Sequence, residues 1–145
     1  MPHYFTLAEA RQHLPAVSKA VREGIEAKKA LAAADSDHRA RVEKIMFSGG
    51  MAVDQEAASH TRQVRDQSAS RLKSMLECFE EIGCVVKDLE IGLIDFPCLY
   101  RGKEVYLCWR LGEPDIEFWH PVEEGFAGRR KIDQDFLREC GGDQS

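Results

Sequence analysis

Residues 92–120 read GLIDFPCLYRGKEVYLCWRLGEPDIEFWH, and their texture decides the fold. Both tryptophans and two of the five cysteines fall here, in short β-branched and aromatic runs with charges between them. Such runs suit pleated strands that bury at least one face. Together with Cys84-Val85-Val86-Lys87, the segments Leu93–Phe96, Val105–Arg110 and Ile116–His120 predict a four-stranded antiparallel meander. Its turns are residues 88–92, Tyr100-Arg101-Gly102-Lys103 and Gly112-Glu113-Pro114-Asp115.

Pairing Tyr100 with Lys103 and Leu111 with Ile116 sorts the side chains by strict alternation. Ile94, Phe96, Leu107, Trp109, Leu111, Ile116 and Phe118 then face the core, with His120 at the end of that row. Asp95, Tyr106, Cys108, Arg110, Glu117 and Trp119 take the other face. In this register Arg110 lies opposite Glu117 and diagonal to Asp95. An acid, base, acid row beside an aromatic side chain is a place for a polar ligand. The plainer reading is a cross-strand ladder of surface ion pairs, each worth about 0–1 kcal/mol.

Upstream of the sheet the periodicity is helical. Thr6 and Glu9 make a capping box, so a helix starts at Leu7. Leu7, Ala10, Leu14, Val17, Val21 and Ile25 step by three and four, and the stripe resumes through Leu31, Val42, Ile45 and Met46. Pro15 removes one backbone hydrogen bond inside that pattern, and Asp35-Ser36-Asp37 are a potential interruption. Ser48-Gly49-Gly50 is the breaker between this helix and a second, whose stripe is Ala58, Val64, Leu72, Met75, Leu76, Phe79 and Ile82, closed by Gly83 as a C-cap. Two helices joined so closely fold back antiparallel. Their stripes are narrow, and homodimerisation through the helices would cover the part that projects from the sheet.

The chain is 145 residues long, enough for a core without staples. Its net charge of -5 lacks the basic footprint that displaces counterions from phosphate, so nucleic acid is not an expected partner. No eighteen-residue apolar stretch and no basic segment leading into an apolar run occur, so neither a membrane span nor a leader is expected. An odd cysteine count without a C-x2-C pair predicts a reduced, cytoplasmic, soluble protein lacking the usual structural zinc site.

His120 has Glu113, Asp115, Glu123 and Glu124 near it in sequence. Imidazole with carboxylates suits divalent ions, which makes Glu113, His120 and Glu123 candidate metal ligands. Cys108 needs a histidine to act as a nucleophile; the register puts His120 opposite Leu107 and away from it, so a buried inert thiol is the expectation. Gly125-Phe126-Ala127-Gly128-Arg129-Arg130 offers two glycines and paired guanidiniums for an anion, or simply a loop plugged by Phe126.

The segments FTLAEA at 5–10, GCVVKDLEIGLIDFP at 83–97, YLCWRLGEPDIEFWH at 106–120 and EGFAGR at 124–129 make the chain resemble the bacterial and archaeal domain-of-unknown-function family 2203. The resemblance runs over nearly the whole chain and implies one intact domain. It implies no activity, cofactor or site residue.

The expected architecture is α+β: a long antiparallel helical hairpin followed by a small four-stranded antiparallel sheet. It is expected as a single domain over 1–145, with the hairpin at 6–47 and 52–82, the sheet at 84–120, and a C-terminal loop and short helix at 121–145. Ile132, Phe136 and Leu137 mark that last helix, and GGDQS at 141–145 reads as a frayed tail. The expected function is a non-catalytic interaction or small-anion-binding module using Asp95, Arg110, Glu117, Trp119 and Arg129. The alternative is a divalent-metal-dependent enzyme, such as a hydrolase, built on Glu113, His120 and Glu123.

Overall fold

The computed structural model describes residues 3–47 and 54–141. The expected turn at Ser48-Gly49-Gly50 and the tail from 142 onward lie outside the described residues. Helix α1 spans Leu7–Phe47 and α2 spans Gln55–Ile82. They are followed by β1 (Val85–Asp88), β2 (Leu93–Tyr100), β3 (Lys103–Arg110), β4 (Phe118–Pro121), a 3-10 turn at Phe126–Gly128, β5 (Arg130–Lys131), α3 (Gln134–Glu139) and β6 (Cys140–Gly141). The architecture is therefore α+β. Among the described residues no helix is long and apolar enough to cross a membrane.

The chain divides into two compact units, Met1–Arg22 with Glu77–Ser145, and Glu23–Leu76. In the second unit α1 and α2 pack antiparallel, and small residues set the seam. Ala27 and Ala34 are buried seven residues apart on α1, as are Thr61, Ser68 and Met75 on α2. Side chains recurring every seven residues keep one seam facing the partner helix. A Cβ on Gly24 would overlap Met75 Sδ, so the glycine admits the methionine. Asp35 and Asp37 do not interrupt α1: Asp35 Oδ1 holds Arg65 Nε at 3.0 Å, and Asp37 accepts from Thr61 Oγ1 at 2.6 Å and pairs with Arg41 at 2.9 Å. At its far end the expected stripe is left uncovered. Val42 and Met46 are 40% and 75% exposed because the seam follows the seven-residue row of small side chains instead.

In the first unit, Thr6 Oγ1 accepts from the Glu9 amide at 3.1 Å and donates to its carboxylate at 3.3 Å, which starts α1 as the capping pair predicts. Gly83, at φ 95°, donates its amide to Phe79 O and ends α2. The sheet order is β1-β2-β3-β4-β5, antiparallel throughout, with β6 pairing the far end of β2. The two short strands β5 and β6 add to the four expected. Arg101 and Gly102 both have positive φ, the two-residue hairpin geometry that fixes Tyr100 opposite Lys103 as expected. Phe5, Val17, Val21, Ile94, Phe96, Leu107, Trp109 and Ile116 are buried.

One register differs. Cys108 pairs with Phe118, Leu107 with Trp119 and Tyr106 with His120, one residue off the expected pairing of β3 with β4. The expected hairpin does not form because two side chains and the β5 end of the chain take the backbone groups it would have used. Arg110 N donates to Glu113 Oε1 at 2.6 Å, Ile116 N to Asp115 Oδ1 at 2.8 Å, and Glu117 O accepts from Ile132 N at 2.9 Å. A slip of one residue exchanges the faces of a whole strand. Trp119 accordingly turns to the other side and stacks on Phe136 at 4.8 Å, while Phe118 and His120 join Asp95 and Cys108.

Candidate functional site

Three adjacent strands place the polar cluster. Asp95 on β2 pairs with Cys108 on β3, and His120 on β4 sits across from Tyr106, one step along the same face. Asp95 and His120 are 1% and 2% exposed, and Cys108 is fully buried. The Asp95 Oδ2 to His120 Nε2 distance is 3.0 Å, and His120 Nδ1 lies 2.9 Å from the Pro121 carbonyl.

These two contacts fix the proton inventory. A carbonyl oxygen can only accept, so Nδ1 carries a proton. A second proton lies between Nε2 and Oδ2, as imidazolium with carboxylate or as imidazole with carboxylic acid. Either form is neutral overall, which is how a pair of ionisable groups becomes tolerable in a dry interior. Burial holds the Asp95 carboxyl above the usual carboxylate range, against the opposing pull of His120. The Cys108 thiol is pushed up to about 12, chiefly by burial and then by the Asp95 charge. Asp95 Oδ1 is buried without a hydrogen-bond partner among the described residues.

A cavity of about 210 Å³ opens against this pair, lined by Lys87, Leu93, Asp95, His120, Val122, Glu123, Glu124, Gly125 and Phe126. The second face of the sheet is closed by the segment after β4. Arg129 is its clamp: the guanidinium lies 4.1 Å from the Phe118 ring centre and 4.8 Å from that of Phe126. The same group donates to the Cys108 carbonyl at 3.2 Å and to Glu113 Oε1 at 2.5 Å.

The expected row of Asp95, Arg110 and Glu117 is therefore not assembled. Asp95 is on His120, the Arg110 backbone is on Glu113 with its guanidinium 5.9 Å from Phe126, and Glu117 lies in the connection ahead of β4. Trp119 occupies the opposite face, and its ring carries the Arg130 guanidinium at 5.2 Å. Of the expected metal candidates, His120 and Glu123 line the cavity, whereas Glu113 is held by Arg129 and the Arg110 amide. The expected separation of Cys108 from His120 is corrected: their ligating atoms and that of Asp95 lie within 4.8 Å of one another. Sequence reading passed over Lys87, which stands 4.8 Å over the Tyr106 ring at the mouth of the cavity. Alternation alone could not place it, because the pairing of β1 with β2 shifts between Val86 and Asp88, at Lys87.

The family model described as an uncharacterized conserved protein, DUF2203, matches residues 3–132. The chain belongs to the DUF2203 family. The DUF2203 match takes in Asp95, Cys108, His120 and the covering segment through Arg129, and stops before α3. The comparisons with the curated proteins and with the solved structures each gave no match.

Proposed function

We propose that the protein is a non-catalytic small-ligand-binding module whose site is the cavity against Asp95 and His120. The observation that carries this is a carboxylate 1% exposed, with one oxygen on His120 and the other without a partner, in the wall of a cavity of about 210 Å³. A buried oxygen without a donor costs about 1–3 kcal/mol, and a bound group that supplies the donor recovers it. At about 30 Å³ per water the space takes an ion with its waters or a molecule of a few heavy atoms. Asp95 Oδ1 lacks a donor and the lining adds the carboxylates of Glu123 and Glu124, the latter shared with Arg130, so the ligand we infer is a hydrogen-bond donor or a cation.

Thermal shift against small amines, carboxylates, phosphate and divalent ions tests this. Gly125 lines the cavity, its backbone is extended and a Cβ there meets nothing within 4 Å, so Gly125→Trp places an indole at the cavity without disturbing the strands. The wild type is expected to be stabilised by at least one member of the panel and Gly125→Trp by none. Equal shifts in both proteins would remove the cavity reading. The proposal includes self-association through the helices, supported by Val42, Met46 and Phe47 at 40%, 75% and 89% exposure. Light scattering giving a strict monomer would refute that part.

A further inference from the structure

We propose that Asp95, Cys108 and His120 are the protein ligands of one divalent transition-metal ion of the zinc type, with the cavity supplying the fourth position. The inference deepens the cavity reading and rests on it, because it names the cation that the cavity would take.

Four observations carry it. The donor set is mixed: one carboxylate oxygen, one sulfur and one imidazole nitrogen, all within 4.8 Å of one another and each on a different strand. Zinc takes such N, O and S donors in tetrahedral geometry, and sites with three protein ligands keep one position open. The spacing is close to coordination already. Two donors on a tetrahedral ion with bonds of about 2.0–2.1 Å lie about 3.3 Å apart, and Asp95 Oδ2 and His120 Nε2 are 3.0 Å apart.

The tautomer is set as well. A metal-bound histidine gives its other ring N–H to a carboxylate or a backbone carbonyl. His120 Nδ1 gives its proton to Pro121 O at 2.9 Å, which leaves Nε2 as the ligand. Lastly, the charges balance. Loading releases the proton shared by Asp95 and His120 and the Cys108 thiol proton to solvent, so a dication meets one carboxylate, one thiolate and a neutral imidazole. The result is a neutral buried site. A bound cation is what converts a buried thiol to the thiolate.

The test uses the full chain, stripped with chelator and titrated with cobalt(II) chloride and, in parallel, zinc chloride near neutral pH. One equivalent of cobalt is expected to bind with a thiolate-to-cobalt band in the near ultraviolet and the intense visible bands of a tetrahedral site. Zinc should displace it and, in a urea concentration high enough to open the buried site of the apo protein, protect Cys108 from alkylation, read on its peptide by mass spectrometry. Cys108→Ser should lose the ultraviolet band and weaken zinc by more than about 100-fold, since removing even an outer-shell partner costs about 10–100-fold. Cys140→Ser is expected to leave both unchanged.

Two results would overturn the proposal. One is a wild type that shows no thiolate band and no zinc protection of Cys108. The other is a band that survives Cys108→Ser and disappears in Cys140→Ser, which would move the ion to the thiol pair of Cys98 and Cys140. The zinc protection measurement needs no variant, so it decides even if Cys108→Ser fails to fold. A thermal shift from a small organic molecule, kept in chelator and lost in Gly125→Trp, would preserve the cavity reading while the metal failed.

Discussion

Replacing His120 with leucine keeps the volume roughly constant and leaves Asp95 buried with neither of its oxygens satisfied. The carboxylate is 1% exposed, Oδ2 has His120 as its hydrogen-bond partner and Oδ1 has none. Breaking a buried pair from one side costs about 3–5 kcal/mol. Because burial already holds Asp95 above the usual carboxylate range, the orphaned group takes up a proton and the cost falls near 3 kcal/mol. Asp95→Val leaves the imidazole short of a partner and is expected to cost a similar amount. The double variant replaces both by apolar groups that suit a strand, and should cost under about 2 kcal/mol. The two singles therefore sum to at least about 4 kcal/mol more than the double, out of a total stability of about 5–15 kcal/mol. Urea unfolding in excess chelator, followed by tryptophan fluorescence, measures this, since Trp109 and Trp119 both lie on the sheet. Additivity of the singles to within about 0.5 kcal/mol would show that the two groups do not share a proton and would refute the reasoning.

Gly92→Ala is expected to cost about 2–4 kcal/mol, because φ is +69° and the new Cβ would lie 2.5 Å from Leu111 Cβ. Gly102→Ala, also at positive φ but with nothing within 4 Å, should cost only about 1 kcal/mol; equal losses in the two denaturation curves would remove the packing argument. Cys140 should be the fastest of the five thiols to alkylate, with a midpoint near its lowered value of about 7, set by the Cys98 thiol 3.3 Å away. Cys98→Ala should move that midpoint up toward the ordinary thiol range, and peptide mass spectrometry across a pH series reads it. Asp37 is held below the usual carboxylate range, first by the Thr61 hydroxyl. Its contribution is present above the unfolded carboxyl's range and lost as pH falls through the lowered value. Thr61→Val should raise the Asp37 titration in carboxyl NMR, and an unchanged titration would count against that hydrogen bond.

The parts of the fold that local chemistry dictates were legible. Thr6 with Glu9, Gly83 after α2, and Arg101-Gly102 between strands each satisfy a backbone requirement within a few residues of themselves, so their spacing carries the answer. The seam of the second unit was half legible: large apolar residues drew attention to Val42 and Leu76, while close helix packing rests on the small side chains of Ala27, Ala34, Thr61 and Ser68. The site was misread for one reason. Gly112 to Asp115 looks like a tight turn, but the carboxylates of Glu113 and Asp115 each satisfy a backbone amide, Arg110 N and Ile116 N. Side chains competing with the ladder for backbone donors leave no trace in hydrophobic alternation. The resulting shift of one residue carried His120 from the expected core row to the face of Asp95 and Cys108.

The covering segment explains why such a face can hold a site at all. On a sheet with one solvated side, Asp95 and His120 would be an exposed pair of little consequence. Here the turn at Phe126–Gly128 and Arg129 close that side, and the clamp is tied to the strands it covers through the Cys108 carbonyl and the Phe118 ring. Gly128 is placed where a Cβ would lie 2.6 Å from Glu124 Cβ, so the turn folds tightly on itself. Beside Val122 to Phe126 the closure is incomplete, and the cavity there reaches Asp95 and His120. A cover that buried this pair for stability alone would gain by sealing that gap with apolar side chains. One that leaves the pair against a small space lined by two glutamates is what the binding proposal requires.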